Sequence, residues 1–422
     1  MSTTDVRRKL AAYGGRPARD KPLPPPYPGA LFIGEEEKRA VVEVIESQSL
    51  FRYYGPRLLG KVDALEREFA KAIGVSRALA VSSGTAALRV ALMSMGVGPG
   101  DEVVVPCYTF IATLGAVVSC HAVPVLCEID ASLGLDPEDL RRRISPQTKV
   151  ILPVHFSGAP CRMDEIMAVA REHRLLVLED VAQACGASYR GRGLGAIGDL
   201  GAFSLQLNKT ITAGEGGLIT ASDTARLEAA ARFHDQGFLR GEWDAGQIFG
   251  ENYRMGELTA AVALAQLHKL ETIVGRMREN KRRIQGGLQD LQRLRFREVP
   301  DPAGDAGNSV VFFLPKAETA REFSRLLIAE NIRAGAPYDG RVVYDAWPQL
   351  RERRVISPSH DAWRYSPRAT EIRYEPGTCP RSEDLVARAV FVPVSPALGR
   401  EDCEQIVDGI RKVYRHLDAS SM

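Results

Sequence analysis

From about Ala78 to Asp180 the chain alternates short apolar runs rich in β-branched residues with stretches whose apolar residues recur at helical spacing. ALAVSS is followed by TAALRVALMSMG, DEVVVP by FIATLGAVVSCHA, VPVLCEI by DPEDLRRRI, KVILPVH by MDEIMAVAREH, and the series closes on LLVLED. Strand and helix in turn predict an α/β fold, a mostly parallel central sheet flanked by helices. Such sheets gather ligands at the carboxyl ends of their strands.

After Asn252 the pattern changes to one long helical stretch, roughly Gly256 to Leu291, beginning GELTAAVALAQLHKLETI and read as the link between two domains. Beyond it NSVVFFLP, TAREFSRLLIAENI, AVFVPV and EDCEQIVDGIRKVYRHL predict a smaller C-terminal α+β domain. The expected division is an N-terminal arm over residues 1–30, a large domain over 31–275 and a small domain over 276–422. The stretch from Tyr338 to Arg381 has weak periodicity and reads as loop, either at a substrate mouth or covering the core. The arm opens MSTTDVRRKLAAYGG, without the apolar stretch of a secretory signal, and continues into KPLPPPYPG, an extended segment.

Charge and composition narrow the function by exclusion. The 55 Lys and Arg nearly balance the 53 Asp and Glu, so no dense basic surface invites nucleic acid, and an anionic ligand must be held locally. The longest apolar candidate for a membrane span, Ile111 to Ile129, is interrupted by His121, Pro124 and Glu128. The seven cysteines form no C-x-x-C pair and mostly sit in apolar runs, which reads as reduced core residues of a cytoplasmic protein with no disulfide or metal framework.

Three features carry chemistry. In Ser82-Ser83-Gly84-Thr85-Ala86-Ala87-Leu88 a strand turns into a helix, whose N-terminal N–H groups suit a phosphate, although Ser and Thr also cap helices for structural reasons. In Leu178-Glu179-Asp180-Val181-Ala182-Gln183 an acidic pair closes an apolar strand. An Asp there can pair with a protonated ring nitrogen, and Gln183 can reach an adjacent ring oxygen; the plainer alternative is a loop cap or a metal ligand. In FSLQLNKTITAGEGG, Lys209 lies between an apolar strand and a glycine-rich turn, where desolvation of its amine favours imine formation and glycines allow close backbone approach.

Taken together, SSGTAAL, PCYTFIAT, PVHFSGAP, EDVAQA, GDLGAFS, NKTITAGEGG and GENYRMGEL resemble the DegT/DnrJ/EryC1/StrS aminotransferases over roughly Ile33 to Val413. The resemblance implies fold type I of the enzymes dependent on pyridoxal 5′-phosphate (PLP), amination of keto sugars and cyclitols by ping-pong chemistry, and L-glutamate or L-glutamine as donor. It makes Lys209 the Schiff-base lysine and proton shuttle and Asp180 the partner of the pyridinium nitrogen. It sets Gln183 near the phenolic oxygen, Phe110 on the ring face, and Gly84, Thr85 and Ser204 at the phosphate. It also implies that Asn252 reaches the phosphate from a neighbouring subunit, hence a homodimer with shared sites; the alternative for Asn252 is an N-cap of the long helix. His155 in PVHFSG is either a substrate contact or a core histidine, and Arg254 either a substrate contact or a subunit salt bridge.

Relatives with histidine in the lysine's place carry out a dehydration, and a non-catalytic regulator tolerates loss of Lys209 or Asp180; both residues are present here. For the acceptor the signals diverge. Gln206 to Gly216 resembles the branch acting on free cyclitols and aminohydroxybenzoate precursors, FRYYGP with ENYRMGEL resembles members aminating an eight-carbon keto-deoxy sugar acid, and nucleotide-linked keto sugars are the family's largest class.

Overall fold

The apolar runs pair into one sheet because each is flanked by a helix that covers its exposed face. A computed structural model describes residues 9–238, 240 and 247–420, so the first eight residues of the expected arm lie outside the described residues. In chain order the first elements are α1 (Glu35–Ser47), α2 (Lys61–Ile73), β1 (Arg77–Val81), α3 (Gly84–Ser94), β2 (Glu102–Pro106), α4 (Ile111–Ser119) and β3 (Val123–Cys127). They continue through α5 (Pro137–Arg143), β4 (Thr148–Ile151), α6 (Met163–His173), β5 (Leu176–Asp180), the short β6 (Ser188–Tyr189) and β7 (Arg192–Gly193), β8 (Leu200–Ser204), β9 (Gly217–Ala221) and α7 (Thr224–His234).

The seven-stranded sheet runs β1-β9-β8-β5-β4-β2-β3. The β8–β5, β5–β4, β4–β2 and β2–β3 pairs are parallel, and β9 alone runs against its neighbours β1 and β8. Strands β2, β3, β8 and β9 are buried along their whole length, as expected of strands covered on both faces. This is the mostly parallel, helix-flanked α/β sheet expected from the sequence.

The single helix expected over Gly256–Leu291 is two, α8 (Glu257–Leu267) and α9 (Leu270–Gly286). The break at His268-Lys269 joins a local bond to a distant one. The Lys269 N–H turns back to the Gln266 carbonyl at 3.0 Å, a tighter bond than the α-helical one, while its ammonium is held by Glu37 of α1 at 2.7 Å and the Phe32 carbonyl at 2.8 Å. Beyond lie β10 (Arg295–Phe296), β11 (Ser309–Phe313), α10 (Ala317–Ala329), α11 (Val343–Ala346), α12 (Pro348–Arg351), α13 (Pro380–Ala387), β12 (Ala389–Pro393) and α14 (Arg400–Ser420).

Strands β10-β11-β12 form an antiparallel sheet. Buried side chains fall into two clusters, a large one on the seven-stranded sheet and a smaller one centred on Phe312, Phe323, Ile406 and Ile410. The stretch expected to be loop, Tyr338 to Arg381, carries one-turn helices, and its Tyr344, Trp363 and Tyr374 pack into the large core. All seven cysteines are buried and unbonded to one another. No helix among the described residues is long and apolar enough to cross a membrane.

Candidate active site

Five turns leave the carboxyl ends of strands running in the same sense and meet around one cavity of about 660 Å³. The turns after β1, β2, β4, β5 and β8 supply Gly84 and Thr85, Phe110 and Thr113, Ser157, Asp180 and Gln183, and Ser204 and Lys209 respectively. The sheet thus brings together, from five separate turns, residues spread over 126 positions from Gly84 to Lys209.

Neighbouring acids on β5 part company because successive side chains on a strand point to opposite faces. Glu179 is wholly buried and accepts N–H groups from Gly195 at 3.0 Å, Ile197 at 2.8 Å and Gly198 at 2.7 Å, so it caps a turn. Asp180 lines the cavity, accepting the Thr113 hydroxyl at 2.9 Å and the Ala182 N–H at 3.1 Å. Burial raises its carboxyl above the usual range, against the lowering effect of those two bonds and the Lys209 charge. A buried carboxylate with two neutral donors is poised for a cation.

Lys209 sits after β8, in a loop tied across its base by Leu205 N–H to Gly216 O at 2.8 Å and Ala213 N–H to Leu205 O at 2.9 Å. Burial lowers the pKa of its amine and Asp180 opposes the shift. The following glycines serve backbone more than ligand. A Cβ on Gly217 would lie 2.4 Å from the Ser83 carbonyl oxygen, so β9 can pass the phosphate-type turn only without a side chain.

That turn opens α3, with the Ser83 hydroxyl accepting the Ala86 N–H at 3.1 Å. The structural cap and the anion site therefore coexist, since one side chain satisfies one N–H and leaves others of the first turn free. Gly84 is pressed against Ser204, whose Cβ would be 2.6 Å from any Cβ at position 84. Gln183 lines the cavity, its Oε1 accepting the Ser157 N–H at 3.0 Å and its carbonyl the Asn308 side chain at 2.9 Å. Phe110 is 47% exposed, with its ring stacked 6.4 Å from that of Tyr338.

Three expected residues stand apart from the cavity. His155 is wholly buried, its Nδ1 accepting the Cys161 N–H at 3.1 Å and its Nε2 facing Glu179 at 3.1 Å, so the substrate-contact reading gives way to a core histidine with both nitrogens engaged. Arg254 pairs within its own chain with Asp235 and lies over the Phe51 ring, outside the cavity lining. Asn252 is exposed and bridges to Asp235, and Gly256 holds the N-cap position of α8, which removes the capping alternative. Sequence reasoning missed Thr113, Asn308, Tyr338 and the proline run Pro24-Pro25-Pro26, all of which line the cavity. Thr113 had a signal, three residues after Phe110 and on the helix that Phe110 caps, and Tyr338 opens the stretch read as substrate mouth or core cover.

The sequence profile of the DegT/DnrJ/EryC1/StrS aminotransferase family matches residues 32–411. The chain is 37% identical over 356 residues to a GDP-perosamine synthase of Vibrio cholerae, covering 84% of this chain and 90% of that one. It is 31% identical over 429 residues to a Streptoalloteichus tenebrarius protein provisionally assigned as L-glutamine:3-amino-2,3-dideoxy-scyllo-inosose aminotransferase, covering 97% and 99% of the two chains. The solved structure of 3-amino-5-hydroxybenzoic acid synthase matches with a TM-score of 0.78 at 28% identity, covering 94% of this chain and 100% of that one.

Proposed function

Because the chain belongs to the DegT/DnrJ/EryC1/StrS aminotransferase family, we propose that it moves an amino group from L-glutamate or L-glutamine to the carbonyl of a keto or aldehyde sugar, a cyclitol or a related polyhydroxylated compound. The chain is a PLP-dependent enzyme of fold type I. The observation that carries the fuller reading is Asp180, a buried carboxylate bonded by one hydroxyl and one N–H and aimed at the same cavity as a partly desolvated lysine. A protonated pyridine nitrogen supplies the charge that Asp180 lacks, so the residues present fit the cofactor.

In this reading Lys209 Nζ would be the covalent attachment point, Asp180 would hold the ring nitrogen and Gln183 the phenolic oxygen. Phe110 would serve one face of the ring, and Gly84, Thr85 and Ser204 would receive the phosphate at the α3 N-terminus. PLP, once bound, supplies an electron sink for the carbon that loses or gains a proton. Thr113 fixes Asp180 so that its oxygen faces the cavity. As a free amine, Lys209 Nζ would take the proton from the donor's α-carbon and return it in the second half of the transfer. Burial serves this role by lowering the pKa of the amine, which raises the fraction present as a free base.

The working unit is a homodimer in which Asn252 of the partner subunit completes the phosphate site. Support comes from its exposure away from its own cavity, and from Val42, Ile45 and Leu50, half-exposed apolar residues on and just beyond α1 that offer a face to a second copy. The setting is the cytoplasm, where buried thiols stay reduced.

The visible absorption of the purified protein tests the reading. A yellow band that bleaches towards the shorter-wavelength amine form with L-glutamate or L-glutamine, and is missing from Lys209→Ala, is the expected result. A protein that stays colourless after incubation with PLP overturns it.

A further inference from the structure

Both peptide planes that flank Lys209 are held. Its N–H donates to the Gln206 carbonyl at 3.0 Å inside the loop, and its carbonyl accepts the Gly29 N–H at 3.2 Å from the N-terminal arm. Fixing the two planes fixes the direction in which the side chain leaves the backbone, and so the space that Nζ can sweep. Three residues on, the Thr212 N–H makes a long bond of 3.4 Å to Gln266 Oε1, while the Thr212 hydroxyl donates to the Leu205 carbonyl at 3.0 Å. The lysine loop is thus tied from outside by Gly29 and Gln266, neither of which lines the cavity.

Both ties are anchored in their turn. Gln266, fully buried on α8, donates its amide to Glu37 Oε1 at 2.8 Å. Glu37, 3% exposed on α1, accepts Lys269 Nζ at 2.7 Å and the Gly34 N–H at 2.7 Å. Burial works against the charge of Glu37, but Lys269, Gln266 and Gly34 outweigh it and hold the carboxyl below its usual range. An ionised carboxylate can only accept, so the Gln266 NH2 faces Glu37 and its oxygen is turned to the lysine loop. The arm is moored at its far end, where the fully buried Glu330 accepts the Ala11 N–H at 2.8 Å and the Ala18 N–H at 2.7 Å and pairs with Lys412 of α14 at 2.8 Å. At its near end a Cβ on Gly29 would lie 2.9 Å from Gln266 Oε1, Ile211 Cα and Thr212 N alike, so only glycine lets the arm rest on the loop backbone.

We propose that Gly29 and Gln266 are positioning residues for Lys209: the arm and α8 grip the backbone of the lysine loop from behind and aim Nζ into the cavity, with Glu37 fixing which way the Gln266 amide sits. The proposal rests on the reading of Lys209 as the attachment point of PLP.

Two probes separate aim from binding. PLP and pyridoxamine 5′-phosphate carry the same ring and phosphate, but only the aldehyde of PLP can condense with Lys209 Nζ, forming a C=N bond and releasing its oxygen as water. The test uses the full-length chain freed of cofactor by dialysis. Growth of the yellow band after mixing with PLP reports attachment, and quenching of tryptophan fluorescence by pyridoxamine 5′-phosphate reports binding, with Trp347 beside Phe110 at 5.8 Å as the nearby fluorophore. Gly29→Ala presses a methyl into the loop, and Gln266→Met keeps the volume while removing both bonds. In each, attachment is expected to slow by on the order of tenfold or more, because a ~1 Å misplacement of a reacting group can cost 10²-fold, while affinity for pyridoxamine 5′-phosphate stays within about threefold. Thermal melts establish that the variants fold. Glu37→Gln, which touches neither the loop nor the cavity, slows attachment by a smaller factor and decides the matter if the other two fail to fold. An unchanged rate in folded variants overturns the proposal, as does a parallel loss of affinity for pyridoxamine 5′-phosphate, which marks a general loosening of the site. A wild-type chain that stays colourless with PLP instead removes the reading of Lys209, and the proposal with it.

Discussion

Glu179 and Asp180 show how one residue step separates structure from chemistry. Both close the same apolar strand, and the sequence left open whether they cap, ligate or catalyse; strand alternation sends Glu179 to the Gly195–Gly198 turn and Asp180 to the cavity. Asp180→Asn is expected to fold, because the amide oxygen can keep the Ala182 bond while the NH2 donates to the Thr113 hydroxyl, and to keep its colour while losing activity by on the order of 10²-fold or more, the scale for removing one fixed polar group from a reacting centre. Steady-state kinetics beside the cofactor spectrum check this, and near-wild-type rates give the ring nitrogen another partner. Lys209 and Asp180 were legible because each ends a strand in a distinctive local pattern. The engagement of both His155 nitrogens was not, since its partners Cys161 and Glu179 lie on a loop and on strand β5 respectively.

At the scale of the element, α3 shows what the phosphate-type turn demands. The helix starts where Gly84 abuts Ser204, so Gly84→Ala forces a methyl against a Cβ only 2.6 Å away and pushes α3 off β8. The expected cost is about 1–3 kcal/mol of stability, the usual penalty of overpacking, together with weaker retention of PLP on dialysis. A variant as stable and as yellow as wild type shows that the turn has more room than its geometry implies. Alternation of strands and helices was readable because period 2 and period 3.6 are strong signals. The break at His268-Lys269 was not, because its cause is Glu37 on a distant helix. Nor was the turn at Tyr338-Asp339, where two successive residues take φ of 58° and 57°, a conformation that no glycine announces.

For the molecule as a whole, acid stability is shaped by His234, which is 1% exposed with no partner for its Nε2 among the described residues. Burial, with the Arg52 and Arg254 charges, holds its pKa down at about 4 against an ordinary 6.5. Between those values an unfolded chain takes up a proton that the folded one refuses, so stability is complete above pH 6.5 and drains away as pH falls to 4. The loss is at most about 3 kcal/mol at ~1.4 kcal/mol per unit. His234→Phe is therefore expected to flatten the fall in Tm over this window, and an unchanged slope assigns the acid loss elsewhere. The arm's contacts are the largest feature hidden from sequence, because they join residues more than 300 positions apart, such as Ala18 and Glu330.

That hidden feature bears on how such an enzyme changes over generations. The prolines of the arm belong to neither core cluster and precede the residues that the family profile matches. A change there reaches the lining of the cavity without passing through either core.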